Sequence, residues 1–217
     1  TTISLPDIEL FQQKALYWAN QFRTVCLLDS NDYAHQHYKS KSRVLAIDAV
    51  SEITCGENAF EELRHFKAHA YATVFGFLSY DLKNQIERLQ STKHDGIGFP
   101  ELYFFKPRYV LEIEGNKVKV NRNYPETFEL IERIKNFEPK AIETEPKQAI
   151  KLKRRTPKEK YLKHVESIKK QIEAGDFYEL NYCNEFYSEN AEINPVSMFL
   201  KLNERMKAPF SCFFKQD

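Results

Sequence analysis

Glycine is scarce in this chain, with 6 residues in 217. None of them builds the glycine-rich turn that cradles a nucleotide's phosphates, so no phosphate loop and no dinucleotide-binding fingerprint is present. A nucleophile elbow is missing as well. Charge of one sign is also lacking: 32 basic residues face 31 acidic ones, a formal net charge of +1. That balance offers no broad basic field for a nucleic acid. No apolar run approaches the ~20 residues that cross a bilayer, and no basic segment followed by an apolar one opens the chain. The four cysteines, Cys26, Cys55, Cys183 and Cys212, form no Cys-x-x-Cys pair. They read as buried free thiols of a reducing cytosol rather than as a disulfide framework, which places the protein in the cytoplasm.

Aromatic residues are what the chain has in quantity, with 17 Phe and 12 Tyr. Large side chains therefore carry much of the packing. Periodicity predicts a helix over 6–22, with Ile8, Phe11, Ala15, Trp18 and Phe22 on one face. Strands follow at 24–28 and 43–50, separated by the polar turn Asp29-Ser30-Asn31-Asp32. A helix over 58–69 would turn Phe60, Leu63 and Phe66 inward. The run 71–80 reads as a strand in which Gly76 marks a bulge or a close backbone approach, and Asp81 would cap a helix reaching Leu89. Further strands are expected at 102–105, 109–113 and 117–121, the last two joined by a Glu114-Gly115-Asn116 turn. The helix over 125–137 would present Phe128, Ile131 and Ile134.

Periodicity then lapses between 138 and 155, where two prolines and many charges read as a linker, the basic cluster 151–155 included. The next helix carries strong local signals. Thr156 is the expected N-cap, Pro157 the first helical residue and Glu159 the partner in a capping box. Tyr161, Val165, Ile168 and Ile172 form its apolar stripe, and Gly175 stops it. A strand over 177–187, a helix from Pro195 with Phe199, Leu202 and Met206 inward, and a strand over 211–214 complete the reading. That last strand needs a partner for its backbone groups, so the chain is expected to be a fragment or to present an interface.

Residue clusters with chemical potential are few. His65 and His69 have the spacing of helical metal ligands but no third ligand nearby, and His35 and His37 alternate away from each other. The Asp29–Asp32 turn lacks the glycine and distal glutamate of a calcium loop.

Four longer motifs go further. Ile172-Glu173-Ala174-Gly175-Asp176-Phe177-Tyr178-Glu179-Leu180-Asn181 resembles the "I..GD.YQ.N" signature of the chorismate-binding domain, with Glu179 where glutamine is usual. Lys207-Ala208-Pro209-Phe210-Ser211 resembles that family's "xAPF/PxPY" turn. Cys26-Leu27-Leu28-Asp29-Ser30 is similar to its "LLES" element, and Phe75–Leu82 to its "G.FGYDL" strand and turn, with Ser79 where glycine is common. The family includes anthranilate synthase component I and aminodeoxychorismate (para-aminobenzoate) synthase component I.

The resemblance implies an α+β fold of antiparallel β-sheets covered by helices, here incomplete. It divides the chain into an N-terminal region over 1–137, a linker over 138–155 and the beginning of a chorismate-binding domain over 156–217. It implies chorismate as substrate, magnesium as cofactor and a glutamine amidotransferase subunit that supplies ammonia. The family's catalytic lysine and magnesium-binding glutamates match nothing in this chain, so no catalytic residue is assigned and the 217 residues alone are expected to be inactive. What carries over is a tryptophan pocket made by Leu28, Asp29, Ser30, Tyr38, Pro209 and Phe210. Asp29 would meet an ammonium, Ser30 the polar end, and Pro209 with Phe210 an indole. The Lys207–Ser211 turn and the Tyr80-Asp81-Leu82 context favour the aminodeoxychorismate branch; the acidic Asp29 leans toward anthranilate synthase. A non-catalytic module that binds aromatic amino acids is the alternative of a different kind.

Overall fold

The computed structural model describes residues 2–31, 43–70, 72–90, 94–120, 126–139 and 150–216. They fall into two compact units, Thr1–Ile142 with Val196–Asp217, and Glu143–Pro195. Strands β1 (Thr2–Ser4), β2 (Thr24–Asp29), β3 (Arg43–Cys55), β4 (Phe75–Leu78), β5 (Leu102–Glu114) and β6 (Lys117–Val120) belong to the first unit. In the second, β7 (Lys153–Arg154) pairs with β8 (Phe186–Tyr187), and β9 (Ser211–Gln216) returns to the first. Among the described residues the main sheet has seven strands in the order β1-β6-β5-β3-β2-β9, with β4 beside the outer stretch of β5. Its pairings are antiparallel. The partner that the last strand requires is therefore β2. β9 joins the first unit because it pairs with β2 across the chain rather than with its sequence neighbours.

Helices α1 (Ile8–Ala19) and α3 (Thr127–Lys135) pack on one face of this sheet. Asp7 caps α1 by accepting the Leu10 N–H at 3.0 Å. Phe11, Ala15, Leu16 and Ala19 are buried there against Val25, Leu27, Leu45, Ile47 and Leu111. In α3 the buried arc is Thr127, Leu130, Ile131 and Ile134, and Phe128 is exposed rather than inward. Phe128 falls past the edge of that arc at 3.6 residues per turn. Helix α2 (Ala59–Ala70) likewise buries Ala59 and packs Leu63, leaving Phe60 exposed.

One strand, β5, runs where two were expected. Pro107 sits inside it, opposite Ala49, where the register with β3 shifts by a residue. Proline has no N–H to give to the ladder, and a bulge in the partner absorbs the missing bond. Asp48 takes the left-handed φ of 63° beside this bulge, and β3 continues to Cys55 rather than stopping at Val50. Beyond Pro107 the side chains change company. Tyr109, Leu111 and Ile113 join the helix-covered core, whereas Tyr103 and Phe105 join a second cluster with Cys26, Ala46 and Phe75. Gly76 supports this second layer: a Cβ on it would lie 2.0 Å from the Tyr103 carbonyl oxygen. The close approach was legible in the sequence. The helix beyond it was not: Tyr80–Gln85 is a single 3₁₀ segment, and Asp81 pairs with Lys83 instead of capping.

The second unit holds α4 (Lys158–Ala174), ended by Gly175 at φ 82°. Pro157, not Thr156, is the residue before its first turn, and no side chain caps it. The Thr156 N–H instead donates to Asn184 Oδ1 at 3.3 Å. Its apolar stripe is only half covered, since α4 buries no residue fully. Of the strand expected over 177–187 only Phe186–Tyr187 forms, because β7 offers two residues to pair with, and Tyr178 is exposed. The basic cluster is not a bare linker. Lys153 and Arg154 form β7, and Arg155 grips Glu185 through two bonds at 2.9 and 3.0 Å.

Helix α5 (Pro195–Met206) buries Val196 and Ser197 and lays Phe199 and Leu200 on the core of the first unit; Leu202 and Met206 are exposed. Cys26 is the one cysteine buried as expected, for Cys55 is half-buried and Cys183 and Cys212 are exposed. No helix among the described residues is long and apolar enough to cross a membrane.

Candidate functional site

The antiparallel register of β2 and β9 decides which residues share a site. Leu28 lies opposite Cys212 and Asp29 opposite Ser211. The end of β2 thus stands beside the turn that launches β9, and two motifs far apart in sequence become neighbours. Ser30 follows Asp29 into a buried position, while Pro209 and Phe210 precede Ser211 on the approach to β9. Phe210 is 74% exposed and Leu28 44% exposed, so both offer uncovered apolar surface. Tyr38, His35 and His37 lie outside the described residues.

Asp29 is the electrostatic centre of this place. Its side chain is 4% exposed and pairs with Arg43 at 2.8 Å. The Asn203 side-chain amide donates to the same oxygen at 2.9 Å, and the Asn31 N–H donates to the other at 2.9 Å. Asn31 holds a left-handed φ of 50°, a conformation that asparagine tolerates better than most residues. Its Nδ2 in turn donates to Asn203 Oδ1, the Ala208 carbonyl and Ser211 Oγ at 2.8, 2.8 and 3.1 Å. These bonds tie β2, β3, α5 and the turn before β9 into one knot. A carboxylate has about four acceptor positions. Among the described residues three donors reach Asp29, two on one oxygen and one on the other.

Arg43, Asn31 and Asn203 did not stand out in the sequence. For Arg43 a signal existed: once β2 and β3 are paired in a hairpin-like register with Leu28 opposite Val44, residue 43 must flank residue 29. Asn203 sits on α5, and no local pattern links it to β2. The histidines of α2 have local partners. His65 lies 3.2 Å from Glu61, and His69 Nδ1 lies 2.7 Å from the His65 carbonyl. Among the described residues no group of three or more His, Cys, Asp or Glu side chains could hold a metal ion. The described residues thus offer no such cluster to magnesium.

Residues 13–217 match the family described as chorismate binding enzyme. No curated protein sequence matches the chain. Among solved structures, anthranilate synthase component I from Streptococcus pneumoniae is similar at 17% identity and a TM-score of 0.60, over 80% of this chain and 48% of that one. The menaquinone-specific isochorismate synthase from Escherichia coli is similar at 12% identity and a TM-score of 0.51, over 100% of this chain and 47% of that one. The chain therefore spans about half the length of these structures, and at such identities the likeness speaks for the fold: mixed helices and antiparallel sheet of the anthranilate synthase component I type.

Proposed function

Because the chain belongs to the chorismate-binding enzyme family, we propose that it is the N-terminal part of an aminodeoxychorismate synthase component I. Such an enzyme replaces the ring hydroxyl of chorismate with ammonia, which a glutamine amidotransferase subunit provides, toward para-aminobenzoate and folate. The family match over nearly the whole chain carries this reading. The Lys207–Ser211 turn and the Tyr80-Asp81-Leu82 context support the branch. Magnesium belongs to the proposed whole enzyme, and the division into 1–137, 138–155 and 156–217 is part of the same proposal. Anthranilate synthase component I is the second reading, favoured by the acidic Asp29. Product analysis with the full-length protein separates the two. Aminodeoxychorismate, giving para-aminobenzoate only once a lyase is added, is expected. Fluorescent anthranilate without any lyase refutes the first reading and supports the second.

Within this chain the proposed role is to bind tryptophan at the meeting of β2 and β9. Phe210, Pro209 and Leu28 supply apolar surface for the indole. The Asp29 carboxylate stands near the ammonium, and the Ser30 hydroxyl bonds the polar end. The register that brings Asp29 opposite Ser211 supports this placement. Calorimetry with tryptophan tests it: heat of binding is expected for the native chain and a marked loss for Ser30→Ala. The absence of heat in both leaves the knot around Asp29 a purely structural device.

A further inference from the structure

Two cysteines on neighbouring strands have no part in the site above. Cys26 on β2 lies opposite Phe214 on β9, and Cys212 lies opposite Leu28. Two residues apart in register, both side chains project from the same face of the sheet, as diagonal neighbours. The two thiols lie near enough for each to shift the other's ionisation. Their environments differ. Cys26 is 2% exposed and belongs to the aromatic cluster of Tyr103 and Phe105, whereas Cys212 is open to solvent.

This asymmetry divides the chemical labour. The neighbouring Cys26 thiol pulls the Cys212 thiol below the ordinary thiol range, against a smaller opposing effect of burial. The Cys212 thiol and then burial push Cys26 up. The accessible sulfur is thus the one that ionises more readily, and the covered sulfur keeps its proton. That is the arrangement of an attacking thiolate beside a resolving thiol. The other two cysteines lack it. Cys55 donates its hydrogen to the Glu57 carbonyl oxygen at 2.6 Å, and Cys183 lies in the second unit.

We propose that Cys26 and Cys212 are a peroxide-oxidisable pair that closes to a disulfide between β2 and β9. The Cys212 thiolate sulfur attacks a peroxide oxygen, the O–O bond breaks, and the hydroxide released takes up a proton to leave as water. Cys212 is then a sulfenic acid. The Cys26 sulfur displaces its oxygen, the S–O bond breaks, and a second water leaves with the Cys26 proton. One hydrogen peroxide and two thiols give one disulfide and two waters, a two-electron oxidation. The bridge would fasten together the strands that carry Asp29 and Ser211. The bridge can form whether or not tryptophan binds there.

The test is peptide mapping of the reduced 217-residue chain after brief treatment with hydrogen peroxide and alkylation without reductant. A linked Cys26–Cys212 peptide is expected, lost after dithiothreitol. Cys26→Ala should trap Cys212 as a sulfenic acid, captured by dimedone roughly tenfold faster than Cys183. Cys212→Ser, a change on the exposed side of the pair, should leave Cys26 fully alkylated after peroxide. Full alkylation of both sulfurs in the treated native chain overturns the proposal. Links that run only to Cys55 or Cys183 also overturn it. The native mapping and Cys212→Ser decide the matter even where Cys26→Ala disturbs the fold.

Discussion

Replacing Asp29 with alanine withdraws the acceptor of three donors at once. The heaviest consequence falls on Arg43, whose side chain is only 24% exposed. Among the described residues its buried Nε has no partner, so the guanidinium would lose its counter-charge with little water to compensate. Removing one partner of a buried ion pair costs about 3–5 kcal/mol. The partial exposure of Arg43 places the expectation at the lower end, about 3 kcal/mol, a large share of the roughly 5–15 kcal/mol that holds a domain together. Trp18 is the chain's one tryptophan, and it packs edge-on against Phe22 and Tyr109 in the first unit. Its fluorescence therefore follows unfolding of the unit that contains Asp29. In urea, a loss of this size should lower the midpoint by about 1–2 M. Asp29→Asn should cost less, because an amide oxygen still accepts. In a double-mutant cycle with Arg43→Met the two losses should fall short of additivity, by about 1–3 kcal/mol. An Asp29→Ala variant within about 1 kcal/mol of the native protein, or strict additivity with Arg43→Met, would refute the view of Asp29 as the centre of the knot.

Gly76→Ala should cost about 2 kcal/mol or more, because the new methyl would meet backbone of Tyr103 and Phe104 at 2.0 and 2.6 Å. A variant that melts with the native chain would rule out the close approach of β4 to β5. The Tyr103 hydroxyl, buried first and bonded to Glu52 at 2.6 Å second, is pushed from 10.0 up to about 12. Its proton is held more tightly in the folded chain, so the stability it contributes is complete below pH 10 and drains away as pH rises toward 12. Alkaline urea melts should show that decline, and Tyr103→Phe should remove it. Lys207, at φ 44°, is a side chain in glycine's territory. Lys207→Gly should gain about 0.5–1 kcal/mol, read as a higher urea midpoint.

Long periodic segments were legible in the sequence because their cause is local. The α1 stripe, the Gly175 stop and the two-residue turn at Gly115-Asn116 each follow from a few adjacent residues. Where the sequence misled, a distant partner decided. Two strands were expected on either side of Pro107, yet the bulge that lets β5 run through it belongs to β3. The alternation over 177–187 looked like a strand, yet a strand exists only as far as its neighbour can pair, and β7 has two residues. Phe60 and Phe128 were placed inward by their hydrophobicity. Ala59 and Leu130 took the covered positions because the axis of each helix is set by the sheet beneath it. For the candidate site, the motif residues could be named in advance, but the Arg43–Asp29–Asn203 knot could not, since it joins three elements.

The pairing of β2 with β9 also fixes an order of events. β2, β3 and β5 can pair as soon as residues 24–114 exist, whereas β9 comes only after the whole second unit has been made. Closing a long loop costs little more than closing a medium one, about 0.6 kcal/mol per doubling, so the delay is in time rather than in stability. On a ribosome that emits some 5–20 residues per second, the edge of β2 would stay open for several seconds before β9 can cover it. During that interval Asp29 lacks Asn203, and Cys26 lacks Cys212. Both devices at this edge come into being in one late step, so each reports that the first unit has finished folding.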